Sequence, residues 1–463
     1  MAVETALRVP PSTLHAITGR RREPAWLAER RREAAQRFQE LPMPRWERTP
    51  LSEGELAGRL EAVWPYLEQP PSARDGRADA VQELAALAVP ADVLETWKAR
   101  RPGSAVLVQV ARADGSVVHA AWMDPELARQ GVVVAPLSQA VEQLESVVQE
   151  HLATRALPAS FSKLAALAAA VWDAGQLVYV PAGVQVAQPV EVVLWAEPGR
   201  RALFPRTLVV LGEQARLALV ETWGSSPGGE GMLAVGGVEL VTQPYARLDY
   251  ACLQRWDSQV TAFTHRRAYL ENDSQVEWAI GEFGAGLARS DFEAQLHGRG
   301  SSSHSVMVFF AGQRQHLDLA SSMEHRGTHT ESDIVARGVL TGQARGIYQA
   351  VTHIRSGARS SGSWQKGNIL VLSQDARADA NPTVIVEEND VLRAGHAATV
   401  GKVDPEQLFY LMSRGLPHAL AVQLMVEGFL QPVLEKIPVE AVRELIRDLV
   451  ARRLQEAFGA AGS

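Results

Sequence analysis

The sequence predicts a mainly β protein. A parallel β-helix spans residues 171–400, a helical and α/β segment precedes it over 1–170, and a helical cap follows over 401–463. Three observations carry this reading. After Leu177 helical spacing disappears, and short β-type runs separated by Gly, Ser, Asn and Asp take over. The runs recur: units begin at Leu211, Leu240, Leu270, Leu296, Leu340 and Leu372, the first three intervals being 29, 30 and 26 residues. Helical patterning returns after Asp404. A period in the range of about 20–50 residues, with only strands in each unit, means coils stacked on one another. A β-sandwich also offers many short strands, but similar-length units sustained over roughly two hundred residues favour the solenoid.

Taken in order, residues 1–20 read as loosely ordered, with Pro10-Pro11 and few large apolar side chains. From Pro24 to Leu41 the spacing of Trp26, Leu27, Ala34, Phe38 and Leu41 predicts an amphipathic helix, with Arg30, Arg31 and Arg32 on a solvated face. Residues 66–80 are polar and rich in breakers, a linker or mobile loop, and a helical segment follows over Ala80–Ala88. Ala105–Val110 and Ser116–Ala121 flank Ala113-Asp114-Gly115, a hairpin signal. Val132–Val134 reads as a further strand and Ser138–Leu152 as a helix. The β-type runs are LVYV (177–180), VEVVLWA (190–196), TLVVL (207–211), RLDYACL (247–253), VEWAI (276–280) and SVMVFF (305–310).

Composition narrows the class. The chain has 463 residues, 46% hydrophobic and 21% charged, as in a soluble globular protein of two or three domains. No run of about 18 apolar residues is present, and the N-terminus lacks the pattern of a signal peptide. The formal net charge of -7 gives no general attraction to nucleic acid or anionic membrane. Cys252 is the only cysteine, which suits a reducing cytosol and a cytoplasmic location. One thiol also cannot hold an iron-sulfur cluster.

The most distinctive stretch runs from Glu388 to Leu416, ENDVLRAGHAATVGKVDPEQLFYLMSRGL. Its first half reads as a tight loop that holds His396 among Ala394, Gly395, Ala397 and Ala398. Its second half is a helix, with Asp404 as cap, Pro405 at the first position, Gln407 at the third and Gly415 as stop. Pro417 opens a second helix and Pro438 precedes a third. The third carries Val442, Leu445, Ile446, Leu449 and Val450 on one side, and Arg443, Arg447 and Arg452 largely on the other.

This stretch resembles the C-terminal signature of the SufB/SufD family of iron-sulfur assembly proteins, closest to the SufD side of the family. The pieces that carry the resemblance are NPTVIVEENDV (381–391), RAGHAATVG (393–401) and EQLFYLMSRG (406–415). PAWLAERRREAAQRF and LPMPRWERTP are similar to the family's N-terminal opening. The likeness spans roughly residues 20–455. It implies a right-handed parallel β-helix and a non-ATPase scaffold subunit of a SufBCD complex. That subunit would pair with SufB through the ends of the two β-helices and bind the SufC ATPase through helices at 404–437. The histidine of the motif, here His396, would act in cluster assembly at the SufB interface, as a ligand to iron or a proton relay. The apolar positions left over for SufC are Leu408, Phe409, Leu411, Met412, Leu424 and Phe429. No cofactor is expected on the isolated chain. An iron-sulfur cluster would form transiently with SufB, and whether a reduced flavin joins the complex, or the chain forms a homodimer alone, stays open.

GHAATVGK (395–402) has five residues between its glycines rather than four, with Val403 where a Walker loop needs Ser or Thr. There is no GxSxG. Cys252 reads as a small buried apolar residue. His297, His304, His316, His325 and His329 have no zinc spacing and read as solvated turn residues. A SufB-like scaffold acting as a homodimer is a third reading, against which the lone Cys252 argues. The related SufB subunit uses a cysteine just before the run matching NILVL (368–372), at or near the position of Lys366 here. The main alternative from another class is a β-helix carbohydrate-active enzyme. It would need a carboxylate pair drawn from Asp291, Glu293, Glu324, Asp333, Asp379 and Glu387.

Overall fold

A strand of alternating inward and outward side chains can satisfy its backbone only through neighbours, and here the neighbours are supplied by the preceding and following coils. The computed structural model describes residues 7–21, 23–49, 51–69, 76–77, 89–98, 100–228 and 231–458. Each coil gives one strand to each of two sheets, of eleven and ten strands. Arg247–Arg255 lies parallel between Arg216–Ser225 and Gln275–Glu282. On the other sheet Thr261–Leu270 lies parallel between Leu233–Thr242 and Leu287–Leu296. The architecture is the expected parallel solenoid, of about eight turns.

The period has a local cause at one corner. Gln214, Tyr245, Asp273, Gly300, His329 and Ser360 all have positive φ. Each donates its N–H to a carbonyl of the next coil, from Gln214 to Pro244 through to Ser360 to Asp390. One left-handed residue per turn thus fixes both the bend and the stacking. The leucine repeat proves to mix two registers. Leu211, Leu240, Leu270 and Leu296 lie on strands of one sheet, whereas Leu340 closes a strand of the other. The missing unit is His325. It pairs with Leu296 below and Ile354 above, a histidine at a leucine position.

His325 is fully buried, not a solvated turn residue. Its ring nitrogens bond Thr330 and Ser332, at 2.7 and 2.8 Å. Burial pulls its pKa down to about 4. Because the folded value is depressed, the neutral ring's contribution is complete above the ordinary value near 6.5 and is lost as pH falls through about 4. His325→Gln, which does not titrate, should therefore lose less stability than the parent on acidification. The gap should approach about 3 kcal/mol below the folded pKa. Chemical denaturation at a series of pH values measures it, and parallel curves for the two proteins would refute it.

Other buried polar groups line the interior. Tyr250 donates to Glu221, and Arg266 faces Glu282 at 3.6 Å. Cys252 stands among them, fully buried, its thiol pushed up to about 12 by desolvation. That is an inert thiol, as its alternating pattern suggested.

The N-terminal part joins the same sheets. The hairpin forms as Ala105–Ala111 and Val117–Met123, and its first strand pairs with Val190–Ala196. Val133–Pro136 pairs with Ala174–Val180. The expected helix is Ala25–Glu40, burying Leu27, Ala34 and Phe38. Three readings change. Pro11–Arg21 is a helix, with Val9 and Ile17 buried. Glu53–Glu68 is another, begun by a Ser52–Glu55 capping box, so the breaker-rich stretch starts later than Tyr66. Arg31 is buried rather than solvated. It pairs with Glu23 at 2.7 Å, donates to the carbonyls of Ala170 and Trp172, and stacks on Trp172. The expected helix over Ser138–Leu152 forms in two pieces, Leu137–Gln143 and Glu145–His151, broken where Leu144 leaves helical geometry. The segment Ala80–Ala88 lies outside the described residues.

The C-terminal helices are present, and their place is informative. His418–Leu434 and Glu440–Phe458 lie along the outer flank of one sheet. Val422, Val426, Leu430, Ile446 and Val450 pack there on Leu253, Phe283, Val306, Val308 and Phe310. They cover a side of the solenoid, not its last coil. The outward residues of these strands are as apolar as the inward ones, so the flank needs the cover more.

Candidate functional site

The last coil presents two strands, Arg377–Val386 and Val391–Lys402, each the end of its sheet. His396 is therefore in the middle of a twelve-residue strand, not on a loop. The strand pairs in parallel with Ser361–Val371, and His396 is in register with Gln365. Gln365 is buried while Trp364 and Lys366 are exposed, so Gln365 and His396 share the inward face. One inward column runs Tyr250, Trp278, Ser305, Ile334, Gln365, His396. The imidazole is exposed because it is the final rung, and among the described residues no coil follows it. Gly395 has a second reason to be small: a Cβ there would lie 2.4 Å from the Trp364 ring. Arg393 reaches back to Glu331 and Asp333, at 2.8 and 3.1 Å, and ties the strand to earlier coils.

Around this end Trp364, Ile385, Val386, Leu392 and Val400 are exposed, Leu392 at 75%. Two long edges with open N–H and C=O groups, rimmed by apolar side chains, are a template for pairing with another sheet.

Next in the chain, Pro405–Ser413 is a helix capped by Asp404, whose carboxylate accepts from Glu406 N–H at 2.9 Å, and it ends at Gly415 with φ of 90°. It has no buried residue. Phe409 is 72% exposed, with Tyr410, Met412, Leu420 and Leu424 exposed beside it. Leu408, Leu411 and Phe429 are half-buried, and Phe429 packs under the Arg337 guanidinium. Sequence reasoning missed Tyr410 and Leu420. It also missed the apolar rim of the last coil, where only three-dimensional stacking brings Trp364 beside residues of the 385–400 region.

The five histidines from 297 to 329 do not converge. His297 stacks on Tyr269, His304 bonds Glu277 at 2.8 Å, His316 contacts Thr49, and His329 sits at the corner. Among the described residues no three His, Cys, Asp or Glu side chains stand together as a metal site. The carboxylates of the carbohydrate reading are all ion-paired. Asp291 meets Arg289, Glu293 meets Arg267, Glu324 meets Arg326 and Arg355, Asp333 meets Arg393, Asp379 meets Arg48, and Glu387 meets Arg355 at 3.6 Å. These partners hold Asp291 and Glu324 below the usual carboxylate range, against the desolvation that would raise them. A general acid needs the opposite shift.

Comparison with known proteins bears on the whole arrangement. The family profile described as SUF system FeS cluster assembly, SufBD core domain, matches residues 194–429, half of the chain. This chain belongs to the SufBD family of iron-sulfur cluster assembly proteins. The SufBD match covers most of the solenoid, its open end and the exposed helix. The chain is 29% identical over 456 residues to the iron-sulfur cluster assembly protein SufD of Bacillus subtilis, covering 98% of this chain and 100% of that one. It is 28% identical over 443 residues to a SufBD family protein of Staphylococcus epidermidis, covering 96% and 92%. A SufBD family protein of Staphylococcus haemolyticus is 27% identical over 444 residues. As a SufBD chain it is SufD-like, and the lysine at 366 lies on the strand directly beneath the His396 strand, exposed and opposite Ala397.

Proposed function

We propose that the chain is the D-type, non-ATPase subunit of a SufB–SufC–SufD assembly. In this reading it pairs with SufB through the open ends of two solenoids, binds the SufC ATPase through 404–437, and acts in the cytoplasm. The observation that carries the reading is the uncovered last coil, with His396 as its terminal inward rung between two unpaired strand edges. A partner solenoid docked there would bury the edges and bring its own residues over the imidazole. A neutral ring can then donate a lone pair to iron or move a proton near neutral pH. The protruding helix with Phe409 suits a groove on a second partner. Among the described residues no helix is long and apolar enough to cross a membrane.

The reading implies dependence on a partner for sulfur ligands. Cys252 is the sole thiol and is buried as a neutral group. The purified chain should hold little iron or acid-labile sulfide after anaerobic reconstitution, whereas the chain co-purified with its SufB partner should hold a cluster. Iron and sulfide assays on both preparations test it. A stoichiometric cluster on the chain alone would overturn the division of labour.

A further inference from the structure

Gln365 lies directly beneath His396, and its amide is placed in a way the fold alone does not need. Its Nε2 donates to Thr352 Oγ1 at 2.6 Å and to the Thr383 carbonyl at 3.1 Å. A carbonyl accepts only, so the amide cannot be turned round. Thr352 is held in turn by Ser363 at 2.9 Å, Ser363 by Ser332 at 2.9 Å, and Ser332 by His325 at 2.8 Å. A buried chain of hydroxyls thus sets the orientation of one side chain near the open end. Its other atom, Oε1, is buried without a hydrogen-bond partner. Such an orphan is costly unless a donor reaches it. Ile334, one rung below in the same column, has no donor to give. The facing strand brings Ala380, Pro382 and Val384 inward at this level, and none is a donor either. The one side chain on the next rung of the column is His396, about 4.8 Å along the sheet.

We propose that Gln365 is a positioning residue for His396: its side-chain carbonyl accepts one imidazole N–H and leaves the other ring nitrogen unprotonated and turned toward the docked partner. The proposal rests on the reading of His396 as an assembly residue only for its consequence, not for its geometry. The physical logic is that of histidine ligands generally, where an acceptor on one nitrogen fixes the tautomer and raises the basicity of the other.

The test uses the full chain labelled with 15N-histidine, the His396 signal being assigned by its loss in His396→Ala. Two-bond correlation spectra are taken at a pH about 1.5 units above the usual histidine value. The parent should show one protonated and one bare nitrogen. Gln365→Met should bring the two shifts toward averaged values. Ferrous iron should bind the Gln365→Met complex with its SufB partner about 10-fold more weakly or worse. An averaged pattern in the parent itself overturns the proposal whether or not the variants fold, and so does an unchanged pattern in folded Gln365→Met. If the pattern responds to Gln365 while His396→Ala leaves cluster content intact, the positioning stands and the assembly role of His396 fails.

Discussion

Phe409→Asp should abolish capture of the ATPase subunit while leaving the solenoid folded. The side chain is 72% exposed on a helix with no buried residue, so the change should alter stability by no more than about 0.5 kcal/mol. In a docked state the same ring would be an aromatic anchor, and losing one costs about 2 kcal/mol or more even before a charge is placed in the groove. Co-purification of the ATPase with tagged parent and variant reads the effect, with circular dichroism and melting recorded alongside. Unchanged capture by a folded variant would remove this helix from the interface. Deleting 404–437 is a poorer test. Val422, Val426, Leu430 and Val433 cover Val306, Val308 and Phe310, and their removal would expose the flank of a sheet. Loss of binding after that deletion would report unfolding.

Changing His396 to alanine should leave folding and complex formation intact and lower the cluster content of the co-expressed complex about 10-fold or more, as loss of a metal-site contact does. The ring is exposed at the end of its column and makes at most one hydrogen bond there, to Gln365, so stability should fall by no more than about 1 kcal/mol. His329→Ala is the fitting control, because His329 is an exposed corner residue. His325→Ala is not, since it would break two buried hydrogen bonds and leave a void in the leucine column. Anaerobic iron and sulfide content per complex is the measurement. A loss of more than about 2 kcal/mol in stability would assign His396 a structural role instead. No change in either quantity would end its candidacy.

The solenoid was legible because its cause is local. A polar or small turn and an apolar inward residue recur in each coil, and both leave marks in sequence. The mark failed where a coil replaced its leucine: His325 broke the repeat, and the count resumed half a coil later on the other sheet, at Leu340. Helix ends were legible for the same reason, through Asp404, Pro405 and Gly415. Arg31 was misread because spacing tells only that a basic residue lies on a helix. It does not tell that Glu23, Trp172 and two carbonyls wait for it inside. His396 was found by its motif and given the wrong setting. Glycine and three alanines look like a loop, yet they are the small residues of a strand on which Trp364 packs.

By itself the sequence determined the parallel solenoid and the capped helix that carries Phe409, while His396 was singled out by the resemblance of its motif. Solenoid and helix follow from periodicity, turn chemistry and capping, which act over a few residues. The tertiary structure decided which coil ends are left open, which face of each helix remains for a partner, and which residues meet across the coils. Those depend on register between strands about thirty residues apart, as between Gln365 and His396, and on helices choosing the flank of a sheet over its end. A one-residue slip would turn His396 outward, and nothing in the local sequence but the stacking of one coil on the next forbids it.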